Sequence, residues 1–253
     1  MKAEYDSPLP TRLINLHFGE EILRKQSFDL ISGSKNLKLH LSAVEAAMDL
    51  ADLLRQFPTT DDDLRVIQLL GMRIFNAFGS ALKLSLSGYS QNSALIMRDI
   101  LETVFLINYF SGDRSQIKRW RFADDKVQRN EFSPVKIREA LDARDGFTGK
   151  KRFEIYKMFS ELAGHPNMKS SLMMRPQRGG DVVIGPFLEA TTLDATISEM
   201  GRLAVQVGEQ LNLFFSNDWE KGIESRLAFA RVKQHWIATF YPKSAPPDTK
   251  TSI

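Results

Sequence analysis

Apolar residues recur at three- and four-residue spacings through most of this 253-residue chain, the pattern of helices that each bury one face. Leu13, Leu16, Ile22, Leu23 and Leu30 predict a first helix from Thr11 to about Ser32. Leu37, Leu41, Val44, Met48, Ala51 and Leu54 predict a second from about Ser34 to Phe57, which Pro58 stops. In "TTDDDLRVIQLLGMRIFNAFGSALKLSLSG" Thr60 is the expected N-cap, and Asp61 to Asp63 fall in the first turn, where negative charge suits the helix dipole. That position accounts for the three aspartates without a metal. Arg73, Asn76, Ser80, Lys83 and Ser87 then form a polar stripe on a largely apolar helix that Gly88 ends.

The segment "SQNSALIMRDILETVFLINYFSG" has apolar side chains around most of its circumference and is read as the central, largely buried helix. Shorter helices are expected from about Asp113 to Asn130, from Ser133 to Arg144 with Pro134 at the first helical position, and from about Thr148 to Ala163. In "SLMMRPQRGGDVVIGPF" two short apolar runs flank paired glycines, which predicts a small β-hairpin over about 170–187. Helices resume from about Thr192 to Phe215 and from about Asp218 to Phe240. In the first of these Gly201 and Gly208, seven apart, would let a neighbour approach closely. The expected fold is all-α: a bundle of eight or nine helices over residues 1–240, its first four long and antiparallel, with the one hairpin and a disordered tail at 241–253.

Composition narrows the chemistry. The hydrophobic content of 43% and charged content of 26% are those of a globular protein. The absence of cysteine excludes disulfides, thiolate nucleophiles and cysteine-held metals, and fits a reducing, cytoplasmic setting. No apolar run is long enough for a membrane span, and "MKAEYDSPLP" does not read as a signal peptide. The net charge of +3 is uneven: from Asp113 to Gly180 there are 16 Lys and Arg against 9 Asp and Glu. Within that basic middle, Lys118, Arg119, Trp120 and Arg121 could meet RNA phosphates and bases or an acidic protein partner. Charged helix faces that pair across the fold are the plainer reading. Phe214, Phe215, Trp219 and Trp236 supply more aromatic surface near the C-terminus than one core need cover, so a homodimer is expected.

Histidine offers the remaining chemistry. In "YKMFSELAGHPN" a helix runs to Gly164, and His165 and Pro166 follow, where exposed carbonyls favour a charged imidazole. A purely helix-ending role explains that position. Arg98 and Glu102, four apart on the central helix, share a narrow stripe with Gln91 and Tyr109, and form either a mutual ion pair or one wall of a polar cavity. With the basic helix packed against them, Arg98, Glu102, Tyr156, Ser160 and His165 would line a cleft in which Arg98 binds an anion and His165 is general acid or base. No zinc-protease, nucleophile-elbow, phosphate-loop or dinucleotide motif is present, and no cofactor or metal is expected.

The pair "RDILETVFLINYF" and "YKMFSELAGHPN" resembles a family of uncharacterised bacterial all-helical proteins with an Arg-x-x-x-Glu helix and a Tyr-x-x-x-Ser segment running into His-Pro. The likeness spans roughly Tyr89 to Phe187, with Gly164 lengthening the spacer before the histidine. It implies a helical bundle with a shared pocket near Arg98, Glu102, Tyr156, Ser160 and His165. A looser likeness is to the HEPN superfamily of helical nucleotide-binding and RNA-cleaving proteins, through Arg12 and His17 in "RLINLH". It implies a metal-independent ribonuclease, as in toxins or phage defence, built across a dimer.

Overall fold

A computed structural model describes residues 9–164, 168–176 and 180–242, which form ten α-helices: α1 (Thr11–Gly33), α2 (Lys35–Gln56), α3 (Asp62–Leu86), α4 (Ser90–Gly112), α5 (Ser115–Arg121), α6 (Asp125–Glu131), α7 (Pro134–Arg144), α8 (Lys151–Phe159), α9 (Ala190–Asn212) and α10 (Glu220–Phe240). No described helix is long and apolar enough to cross a membrane. The sequence predicts most of these bounds because the chain punctuates itself. Ser34 accepts the Leu37 amide to cap α2, Asp61 accepts the Asp63 amide to cap α3, and Pro134 opens α7. The cap of α3 is thus Asp61 rather than Thr60, and Asp62 and Asp63 hold Arg121 from α5.

Helices α2, α3, α4 and α9 enclose the core, where Leu50, Leu54, Ile67, Phe78, Ile100, Leu101, Ile107 and Leu211 are fully buried. Small residues let them meet: Gly71 of α3 lies against Ala51 and Leu211, and Gly201 of α9 against His40 of α2. Gly208 of α9 faces the Phe229 ring of α10 in the same way. Burial of these apolar faces is what drives the bundle together. Gly88, at φ 88°, turns α3 into α4, and its carbonyl accepts the Phe187 amide at 3.3 Å. A Cβ there would lie 2.8 Å from the Phe187 backbone, so both conformation and space demand glycine.

Further expectations are corrected. The hairpin does not form among the described residues: Met168–Met174 winds into a 3-10 helix, and one backbone bond, Val183 N–H to Met174 C=O at 3.0 Å, joins it to the second arm. Its first arm, "SLMM", has no β-branched residue, and Leu and Met, unbranched at Cβ, accept a helical turn readily. Gln177, Arg178 and Gly179 of the expected turn lie outside the described residues. Helix α1 is long and touches α2 and α3, but it packs on them only lightly, since Leu13, Leu16, Ile22 and Leu30 are exposed and only Ser27 and Ile31 are buried. The single helix expected from Asp113 to Asn130 is two, because Asp124 caps a new start on the Val127 amide. Finally, Phe214, Phe215 and Trp236 are buried in the chain's own core and Trp219 packs half-buried against it, so these aromatics do not call for a dimer. Most of the expected tail, residues 243–253, lies outside the described residues.

Candidate functional site

The site grows from one irregularity. Helix α8 does not stop at Phe159 but widens into a π-helical turn, Ser160–Gly164, a form that recurs at functional sites. The widened turn packs on the first half of α4, where Gln91 Nε2 donates to the Leu162 carbonyl at 3.4 Å. One turn back, Tyr156 faces Arg98 of α4. Two ion pairs fix α8 against α7, Arg152 to Asp142 at 2.6 Å and Arg152 to Asp145.

Arg98 is the hub. Its Nε donates to Glu102 Oε1 at 3.1 Å, one turn along the same helix, and an Nη donates to the Tyr156 hydroxyl at 2.5 Å. Its remaining Nη lies so close to Gly164 that a Cβ there would collide with it. Ser160 borders the same point, its Cβ 3.6 Å from where that Cβ would be. The Ser160 hydroxyl is buried and has no hydrogen-bond partner among the described residues. Arg98 and Glu102 are largely shielded, their side chains 19% and 26% exposed, so their attraction is screened less than a surface pair's.

A fifth residue enters that sequence reasoning missed. Arg138 of α7 is buried, and its guanidinium carbon lies 3.7 Å from the centre of the Tyr156 ring. Tyr156 is thus held by two arginines, one over its ring and one on its hydroxyl. Burial pulls the Arg138 pKa below its ordinary value; Tyr156 and Glu102 oppose that fall, and Arg98 adds to it. A signal was present in the sequence: Arg138 lies three residues before the apolar Leu141, which is buried, so the cation shares that residue's inward face.

Glu102 also faces a second space. A cavity of about 270 Å³ between α3, α4, α5 and α7 is walled by Phe105, Leu106, Trp120, Phe132 and Ile137, with Glu102 and the Arg73–Asp99 ion pair, 2.5 Å, on its polar side. Asp99 Oδ2 and Glu102 Oε2 accept no hydrogen bond from any described residue.

The other predicted residues are dispersed. Tyr109 lies away from Arg98, its ring edge-on to Phe132 at 6.3 Å, and burial pushes its phenol pKa up. Arg119 makes a two-pronged pair with Glu131, both bonds 2.7 Å, and Arg121 pairs with Asp62 and Asp63. Trp120 is a core anchor edge-on to Phe110, and Lys118 is exposed. Arg12 and His17 occupy the exposed face of α1, where His17 meets Glu20 at 2.9 Å. His165 lies outside the described residues. Among the described residues no group of His, Asp and Glu could hold a metal ion.

Comparison with protein-family models, with curated proteins and with solved structures finds nothing that matches this chain. The all-helical character is therefore the part of the family resemblance that stands.

Proposed function

We propose that this chain binds a small organic molecule, with its polar end at Arg98, Glu102 and Tyr156 and its apolar body in the adjoining cavity. The observation that carries this reading is the double role of Glu102, which is both the partner of Arg98 and a wall of an aromatic-lined space of about 270 Å³. Concave, mostly apolar sites with a few convergent polar groups are the usual form of ligand pockets. Holding Arg98 between Glu102 and Tyr156 fixes its guanidinium in advance, which lowers the ordering cost of binding. His165 is retained as the candidate proton carrier from the sequence reading alone.

Benzyl alcohol is a suitable first probe, and the indole N–H resonance of Trp120, assigned through Trp120→Phe, reports on the cavity wall. A saturable shift of that resonance is expected in the wild type. It should vanish in Leu106→Phe, which fills the cavity from a half-buried position while leaving the core hydrophobic. A Trp120 resonance that does not move, or moves alike in Leu106→Phe, sinks the reading.

A further inference from the structure

Within the polar seam of α4, α7 and α8, two buried polar atoms lack partners among the described residues: Arg138 Nη1 and Ser160 Oγ. Both belong to the cluster around Tyr156. Arg138 is 94% buried and stacks on the Tyr156 ring, while Ser160 lies beside the Arg98 guanidinium that bonds the Tyr156 hydroxyl. The contact with Tyr156 covers the face of the guanidinium and leaves its Nη1 without an acceptor among the described residues.

The charges point the same way. Arg98 and Arg138 bring two positive charges to the seam, and Glu102, already engaged by Arg98, brings one negative. One cation is left over, and Arg138 is almost wholly buried. A buried charge without a counter-ion is costly enough that folds retain it chiefly where an opposite charge arrives. A buried water could accept from either orphaned donor, but it would leave the surplus charge as it stands.

We infer that the seam binds a compact oxyanion, the phosphate or carboxylate group of a small molecule, with Arg138 as its principal anchor and the Ser160 hydroxyl as a second donor. This rests on the reading of the seam and cavity as one small-molecule site. The cavity shares α4 and α7 with the seam, through Glu102 and Ile137, and the carrier of the oxyanion would extend toward Phe105, Trp120 and Phe132. A planar guanidinium fork suits both anion shapes. The neighbouring Asp142 is spoken for by Arg152 at 2.6 Å and supplies no counter-charge to Arg138.

The test is a titration of the full chain with inorganic phosphate and, separately, with acetate, at ionic strength held constant with chloride. Arginine Nε–H resonances and the melting temperature are followed in the wild type, Arg138→Met and Ser160→Ala. Methionine preserves the packing on Tyr156 and removes the charge. At least one oxyanion should shift the Arg138 resonance saturably and raise the melting temperature. Its affinity should fall about tenfold or more in Arg138→Met and by a smaller factor in Ser160→Ala. Phosphate alone acting would mark a tetrahedral group, and acetate alone a planar one. Saturation unchanged in Arg138→Met overturns the inference. So does silence with both anions while benzyl alcohol still moves Trp120, in which case the small-molecule reading survives; silence with all three probes ends both. Should Arg138→Met fail to fold, the wild-type Arg138 resonance together with Ser160→Ala decides the matter.

Discussion

His40 shows at the scale of one residue how a polar group is made part of a core. Its ring is stacked on Phe240 at 4.2 Å, and its Nδ1 accepts the Trp236 indole N–H at 2.9 Å. Nδ1 must therefore be unprotonated in the fold. Burial, aided by Arg202 and opposed by Asp194, holds its pKa at about 4 instead of 6.5. In the unfolded chain the imidazole takes up its proton near pH 6.5, whereas the folded chain resists it until about 4. The stabilisation is thus fully present above pH 6.5 and is lost as pH falls through that window. At ~1.4 kcal/mol per pH unit, the loss approaches about 3 kcal/mol at pH 4. Urea unfolding at pH 7, 6, 5 and 4 should show this decline in the wild type. His40→Gln, which can still accept from Trp236, should show a shallower one; identical slopes would mean that His40 is not the titrating group. The sequence marks His40 as a histidine near a helix start without a local partner. Its partner is 196 residues away, a distance no local pattern reports.

At the scale of elements, the same division between local and distant information explains what was legible. Helices announce themselves through period, caps and prolines, so α2, α4, α7, α9 and α10 are placed to within a few residues. The stripe containing Arg98 and Glu102 follows from helical geometry alone, and so does the close approach at Gly201 and Gly208. What the sequence does not display is the third helix of the site. Arg138 joins Tyr156 only because α7 and α8 both pack on α4, a tertiary fact. The π-helical turn that sets Gly164 against Arg98 has no periodic signature either. The packing of α9 on α10 gives a direct test. A Cβ on Gly208 would enter the space of the Phe229 ring, which is 2% exposed and cannot swing into solvent. Gly208→Ala should destabilise by about 2 kcal/mol, overpacking exceeding the helix-propensity gain of alanine. In a Phe229→Leu background the same change should cost less than about 1 kcal/mol. Equal costs in the two backgrounds would show that the helices do not meet there.

For the whole molecule, the uneven sharing of the core sets how firmly each part is held. Helices α2, α3, α4 and α9 bury residues along their length, whereas α1 buries only Ser27 and Ile31, near its end. Its N-terminal half is tied on through Glu20, which accepts the Tyr89 hydroxyl at 2.7 Å, and it leaves Leu13, Phe18 and Ile22 46%, 58% and 60% exposed. A helical stretch of that length without a packed face is marginal in water. Amide hydrogen exchange should therefore find Leu13 to Phe18 opening far below the global unfolding free energy, while amides of Leu50, Leu101 and Leu203 exchange only on global unfolding. Protection of α1 equal to that of α4 in dilute protein would refute this ranking. Protection that grows with protein concentration would instead show a second copy covering the apolar residues of α1. That outcome would locate an oligomeric contact on α1, away from the C-terminal aromatics that the core already encloses.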